Sequence, residues 1–330
     1  MFFYKQKTDS LFGLPNSFFS ISLENHNHIS SEFSSDAFEI YFRGNKSYAG
    51  KTADLGDFKY DQVYWQDINF TFGHEFTRNL HRFGFTLGLS LNKGERLFQI
   101  DAPRASLYTQ EFGEWLDLDA AIEIYQNDSL ANDFLSWNGT GGSFNGSFFW
   151  QDKKKNVLEV TVSHVGFIAW NKNSSFVNAD TSFRFEGIDV SELFDFRDSV
   201  HTFISIDSSL VEPYLSSRIK KSKSIMLPSL MRLNYHYRLT ERLDLEAEGR
   251  YHLFANALPG GSLRAGYNLG QKQRVGVSVS YGDYTDFNAG LSYQAWILQR
   301  WMLTLRSDYL SGFITDGKAQ GTFVSLSAHF

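Results

Sequence analysis

Histidine, serine and carboxylate side chains are where this sequence could do chemistry. Ser327 and His329 lie two residues apart near the C-terminus, and a hydroxyl beside an imidazole is the start of a nucleophile–base pair. No acid is placed by the sequence to orient His329, and two polar residues alternating on a strand arise easily by chance, so no catalytic residue is assigned. His26 and His28, in the run Asn25–His28 (NHNH), could touch a metal ion through their ring nitrogens. They read as part of a polar loop without a further ligand cluster, so no metal site is assigned and no cofactor is expected. Asp117, Asp119 and Glu123 share a strand face and read as part of an ion-paired wall. The richest polar set is Arg232, His236, Arg238, Asp244, Glu246, Glu248, Arg250 and His252. These side chains could line a solute path or close one with ion pairs. The closing role is favoured, because opposite charges on a low-dielectric wall pair with one another.

The elements that must position this last set are strands. Met231, Leu233, Tyr235, Tyr237 and Leu239 alternate with Arg232, Asn234, His236 and Arg238, and Leu243–Leu253 repeats the pattern. Leu263–Leu269, Val275–Tyr281, Phe287–Ala295 and Trp301–Leu305 continue it. Apolar residues at period two, over segments of about ten residues, suit tilted strands that cross a bilayer. The connections alternate as well. Thr240–Arg242, Gly270–Lys272 and Leu298–Arg300 are short, whereas Asn256–Gly261, Gly282–Thr285 and Ser311–Ala319 are mostly longer and carry Gly, Asp or Pro. Even-numbered residues are polar on both sides of Thr240–Arg242, so paired residues must sum to an even number. Arg238 is therefore expected opposite Asp244, and His236 opposite Glu246.

The N-terminal half is strand-like but less regular. Phe18–Leu23, Phe38–Phe42, Ile68–Phe72, Phe83–Leu91, Leu118–Ile124, Gly142–Trp150, Leu158–Val162, Phe183–Phe185 and Thr202–Ile206 are candidate strands. Asn92–Gly94 is expected to turn the chain. Asn127–Thr140 and Asp189–Asp198 read as insertions, and Ser208–Ser224 as a polar loop or short helix with Arg218, Lys220, Lys221 and Lys223. The fold class is all-β: a closed antiparallel transmembrane β-barrel of about 14 strands, within a range of roughly 12–16, with short periplasmic turns and long extracellular loops. Residues 1–330 form a single domain, with 1–35 a truncated or irregular N-terminal segment.

Composition narrows the class. The chain has 330 residues, 17% of them aromatic, and a net charge of −6, which argues against a general nucleic-acid binder. It has no Cys, which removes thiol catalysis and disulfide scaffolds. No run of about 18 apolar residues marks a transmembrane helix. A mean hydropathy of −0.31 is still compatible with a barrel, whose strands alternate lipid-facing and lumen-facing residues. A solvated sandwich or propeller would need a polar outer face, and here one face carries rows of Leu, Val, Phe and Tyr. The start MFFYKQKTDS has no apolar stretch ahead of Lys5, Lys7 and Asp9, so the sequence shows no export leader.

Specific runs carry a resemblance. Phe42–Gly50 (FRGNKSYAG), Gly166–Asn173 (GFIAWNKN), Phe185–Phe194 (FEGIDVSELF) and Leu227–Tyr237 (LPSLMRLNYHY), with the C-terminal third, resemble a domain-of-unknown-function family of Bacteroidota outer-membrane barrels. The resemblance spans roughly residues 36–330. It is more distantly similar to gliding and type 9 secretion barrels and to fatty-acid transport barrels. It implies integral placement in the bacterial outer membrane and no established activity. Val324, Leu326, Ala328 and Phe330, ending the chain on an aromatic, resemble the C-terminal signal read by the barrel-assembly machinery. The expected partners are outer-membrane lipid, that machinery and envelope proteins, with no nucleic acid. The expected role is non-enzymatic, either accessory and partner-binding or transport of a lipophilic solute. The alternatives are a lipid-modifying outer-membrane enzyme using His329 and a soluble secreted β protein that binds glycans.

Overall fold

Alternating residues become strands over most of the chain. The structure is a computed structural model and describes residues 2–11, 13–127, 137–186, 219–253, 258–282, 285–297, 300–310 and 321–328. In chain order these contain β1 (Phe2–Leu11), β2 (Leu14–Glu32), α1 (Ser35–Arg43), a 3-10 turn at Lys46–Tyr48, β3 (Lys51–Asp54), β4 (Phe58–Arg78), β5 (His81–Thr109) and β6 (Leu116–Gln126). Next come β7 (Gly139–Gln151), β8 (Val157–Trp170), β9 (Ser175–Phe185), β10 (Ile219–Lys220), β11 (Lys223–Met226) and β12 (Ser229–Arg238). β13 (Leu243–Leu253), β14 (Gly260–Asn268), β15 (Gln273–Gly282), β16 (Thr285–Ile297), β17 (Trp301–Ser307) and β18 (Phe323–Ala328) complete it. No helix of the described residues is long and apolar enough to cross a membrane.

All strands belong to one sheet. Its main wall runs β1, β2, β4, β5, β7, β8, β12 and then in sequence order to β18, each strand antiparallel to the next. Among the described residues β1 and β18 are its two edges, and by this alternation they run in the same direction. β5 is longer than its neighbours. Its first half pairs with β7, and its second half leaves the wall to pair with β6 and β3. β6 then pairs with β9 and β9 with β10, so a smaller sheet extends from one end of the wall.

Inner and outer faces are set by parity. Trp65 of β4 and Ile168 of β8 meet in one buried cluster although their strands are not neighbours, so their side is the inner face of a curved wall. On the outer side Leu87, Leu89 and Leu91 are 50%, 68% and 63% exposed. Between them on the inner side Ser90 and Asn92 are buried. A β-bulge interrupts this order, because Tyr64 pairs with Arg96 and Trp65 with Gly94, leaving Glu95 over. One extra residue reverses the faces beyond it, so Leu97 turns inward and is fully buried. The backbone groups freed by the bulge are bonded by side chains. Leu97 N–H donates to Asn127 Oδ1 at 2.7 Å, and Asn127 Nδ2 and Asn138 Nδ2 donate to the Glu95 carbonyl at 3.0 and 2.8 Å. A second bulge lies between β7 and β8 at Phe144–Gly146, where His164 adopts φ 58° and its N–H donates to Asn145 Oδ1 at 2.8 Å.

Several expectations are corrected. Asn92–Gly94 does not turn the chain; β5 passes through it, because the bulge absorbs the local irregularity. Phe38–Phe42 is helical, since Ser34 Oγ accepts from Ala37 N–H at 3.1 Å and caps α1 before Gly44 ends it at φ 77°. His26 and His28 sit in β2, not in a loop. Gly282 and Thr285, at the ends of β15 and β16, pair with each other. Thr202–Ile206, Asp189–Asp198, His329 and Phe330 lie outside the described residues, as does most of Asn127–Thr140 and of Ser208–Ser224. The register expectation holds: Arg238 pairs with Asp244 and His236 with Glu246.

Close backbone approach between β7 and β8 sets a test. A Cβ on Gly141 would lie 1.8 Å from the Phe167 carbonyl oxygen, whereas one on Gly249 meets nothing within 4 Å. Gly141→Ala should destabilise the fold by about 1–3 kcal/mol, and Gly249→Ala should stay within about 0.5 kcal/mol. The check is the temperature at which each variant loses its folded mobility in detergent gels.

Candidate functional site: the charged inner face and the apolar plug

Even-numbered positions on β12 and β13 carry their charges to the inner face, and the register brings opposite signs together. Glu248 lies 3.7 Å from Arg232, 3.8 Å from Arg250 and 3.6 Å from Arg264. Arg264 also reaches Glu246 at 3.6 Å. Asp244 takes His236 Nε2 at 3.4 Å and the Arg274 guanidinium. Arg238 uses its backbone N–H on Asn156 Oδ1 at 2.8 Å, and His252 stands opposite Leu230. The structure therefore joins Arg232, Glu246, Glu248 and Arg250 in one group of ion pairs and His236 with Asp244 in a second. It adds Arg264 and Arg274, whose even parity on β14 and β15 was the signal in the sequence. A polar cavity of about 420 Å³ lies beside the network, lined in part by Asp244, Arg264, Arg274, Ser292, Thr304 and Ser325.

A second inner feature is apolar. Val63, Trp65, Leu97, Tyr125, Ile168, Trp170 and Leu227 form one buried cluster, with Phe176 and Ile225 packed against it. Leu97, Ile168 and Leu227 are fully buried, and each such side chain contributes about 1.5–3 kcal/mol of burial. The Tyr125 hydroxyl donates to the Lys221 carbonyl at 2.7 Å, tying the chain near β11 to this plug.

Beside the plug, His26, Asp67 and His164 converge, each offering one ligand-type atom within 4.8 Å of the others. His26 Nε2 is 3.4 Å and His164 Nε2 3.8 Å from Asp67 Oδ2, and Glu24 is 4.0 Å from His26. The His26 ring stacks on Trp65 at 4.6 Å and meets His164 edge-on at 4.5 Å. Sequence reading missed this group because its members come from three strands and His164 sits on a bulge.

Other candidates resolve into structure. Asp117 takes Arg184 Nε at 2.6 Å, and Arg104 joins Asp119 and Asp180 at 2.6 and 2.7 Å. These pairs hold the β5–β6–β9 extension beyond the main wall, and the Arg184 hydrogen bond keeps the Asp117 carboxyl below its ordinary range. Ser327 pairs with Met302 in the β17–β18 register. Ser17 Oγ lies 3.1 Å from His74 Nδ1, but Ser17 is only 2% exposed and also donates to the Leu14 carbonyl at 3.0 Å. That pair joins β2 to β4, where the two residues stand opposite each other. Val324 and Leu326 stand 64% and 60% exposed on the outer face of β18.

Fold and site together define an all-β protein built on one antiparallel sheet, with an apolar outer face, a salt-bridged inner face and an apolar interior cluster. The chain belongs to the family of unknown function DUF5723, whose model matches residues 9–304. No curated protein matches it. Among solved structures it is similar to the crystal structure of the P. putida toluene transporter TodX, with a TM-score of 0.40 and 8% identity over 89% of this chain and 72% of that one. It is also similar to the TodX deltaS2S3 mutant monoaromatic hydrocarbon channel, with a TM-score of 0.44 and 7% identity over 92% of this chain and 75% of that one.

Glu248 is the hub of the network, and its side chain is 13% exposed against 36% for Glu246. Glu248→Gln removes the carboxylate that Arg232 and Arg264 share and, discounted for their partial exposure, should lower stability by about 1–3 kcal/mol. Glu246→Gln, better solvated, should lower it by less than about 1 kcal/mol. Urea unfolding midpoints of the two variants check the order.

Proposed function

We propose that this chain is an integral outer-membrane β-barrel whose interior is plugged and whose role is to handle lipophilic solutes, without catalysis. One observation carries the reading: over consecutive strands the exposed side chains are apolar while charged ones point inward. Leu263, Val277, Leu291, Val324 and Leu326 are each more than half exposed on the outside. Arg264 and Glu248 lie inside with side chains 26% and 13% exposed. A water-soluble sheet would gain by the reverse arrangement, whereas a wall facing hydrocarbon requires this one.

In this reading the wall strands cross the membrane. The tight reversals at Asn79–Leu80, Asp152–Asn156, Leu239–Arg242 and Leu269–Lys272 lie on the periplasmic side with the C-terminus. α1 and the β6–β9 extension lie outside the cell. Closing the wall would join the edges β1 and β18, and fully antiparallel closure takes one more strand between them, in keeping with a barrel of about 14 strands. The strand Val324, Leu326, Ala328 and Phe330 would engage the barrel-assembly machinery.

The plug and the paired charges leave little room for an aqueous path, which disfavours an open porin. An apolar groove of about 610 Å³ on the outer face supports a lipophilic ligand. Leu243, Leu291 and Leu305 flank it, Ala265 and Val277 are among its smaller lining residues, and Tyr267 and Tyr293 also line it. A second reading, an accessory barrel that binds an envelope partner, is favoured by α1, whose Phe38, Tyr41 and Phe42 are 51%, 82% and 64% exposed.

Protein from isolated outer membranes should migrate differently boiled and unboiled in detergent gels. Recovery in the aqueous fraction without any such shift would remove the membrane reading. In planar bilayers the wild-type chain should give no steady conductance, and a Trp65→Ala, Trp170→Ala double variant should give openings; a wild type that conducts steadily overturns the plug. In lipid nanodiscs Ala265→Trp should weaken binding of a spin-labelled fatty acid at least about tenfold, which corresponds to about 1.4 kcal/mol.

A further inference from the structure

We propose that His26, Asp67 and His164, with Glu24 at the rim, form a binding site for a divalent transition-metal ion that clips β2 and β4 to β8 across the interior. The argument starts from what is left unbonded. Asp67 has a side chain only 1% exposed, yet its Oδ1 has no hydrogen-bond partner, and neither does the buried Nε2 of His26. A buried carboxylate without compensation is costly, and a cation removes that cost.

The geometry and chemistry of the donors fit a metal. Zinc binds imidazole nitrogen at about 2.0–2.1 Å and carboxylate oxygen at about 2.0–2.2 Å in a tetrahedron. Neighbouring ligand atoms of such a tetrahedron stand about 3.3–3.5 Å apart. His26 Nε2 and Asp67 Oδ2 are already 3.4 Å apart. His164 Nε2, at 3.8 Å from the same oxygen, needs a shift of a few tenths of an ångström. Glu24, 4.0 Å from His26, can supply a fourth ligand or leave that position to water. Two imidazoles with carboxylate select zinc and its first-row neighbours over calcium or magnesium, which favour oxygen alone.

The surroundings hold the donors in place. The Trp65 indole stacks on His26, and His164 gains its inward aim from a backbone at φ 58° fixed by Asn145. A left-handed backbone at a non-glycine residue is a costly conformation, and here it brings an imidazole to a carboxylate three strands away along the wall. The bound ion would act as a cross-strap beside the plug, whether or not the barrel carries a solute.

The test uses the full chain, without a histidine tag, in detergent, stripped by a chelator and titrated with Co²⁺. One Co²⁺ per chain, with visible ligand-field bands displaced by Zn²⁺, is expected. His164→Gln and Asp67→Asn should weaken binding about 100-fold or more, and His252→Gln should leave it unchanged, with folded mobility on gels retained in all three. Absence of the bands, which is the result for a carboxylate–imidazolium pair alone, overturns the site. So does binding that survives His164→Gln or is lost equally in His252→Gln. X-ray absorption of the Zn²⁺-loaded wild type needs no variant. Imidazole and oxygen ligands together support the site, and a shell without imidazole rejects it.

Discussion

The alternation of side chains across a continuous hydrogen-bonded wall is the constraint on which everything else rests. Among the described residues, each strand of the main wall is paired on both sides except at β1 and β18. A strand so paired has no backbone group left for water, so its outer side chains are free to be apolar. That freedom is what lets Leu89 stand 68% exposed on one side while Asn92, three residues on, is fully buried on the other. Period two then does the sorting: apolar residues go to the outside, and the charges that cannot go there must meet each other within.

Two departures from strict period two build the interior. The bulge at Glu95 exchanges the faces of β5, turning Leu97 inward, and the bulge at His164 breaks the β7–β8 register and aims an imidazole at Asp67. Each leaves backbone groups that would be unbonded, and each is bonded by asparagine: Asn127 and Asn138 at the first, Asn145 at the second. Asparagine suits this task because its amide offers a donor and an acceptor on one short arm. The irregular positions are thus the ones that place the plug and the histidine group, as expected where strands are re-aimed.

This explains what was legible in the sequence and what was not. β12 and β13 hold strict alternation across a short turn, so parity alone gave the pairing of Arg238 with Asp244 and His236 with Glu246. The first half hides its order. Asn92–Gly94 has turn-type residues yet lies in an unbroken strand, because Gly there relieves crowding: a Cβ on Gly94 would come within 2.9 Å of Trp170. Phe38–Phe42 alternates partly like a strand, but Ser34 offers a cap and α1 lies outside the sheet. The group of His26, Asp67 and His164 could not be read, since β5 and β7 stand between β4 and β8 and only the curvature of the wall brings them together.

Curvature also sets where the interior is apolar and where it is charged. Around Trp65, Ile168 and Trp170 the inner face carries large apolar side chains that fill the space between facing strands. Along β12 to β15 it carries long charged chains whose partners are on adjacent or next-but-one strands, and a polar cavity remains beside them. A wall of this kind can shut out ions in two ways, by dewetting at the rings and by mutual neutralisation at the charges. The two mechanisms respond differently to change: removing a ring opens a dry gap, whereas removing one charge leaves its partner exposed to a low dielectric and strains the wall itself. In the proposed barrel, permeability would therefore be set by the apolar cluster and wall stability by the ion pairs.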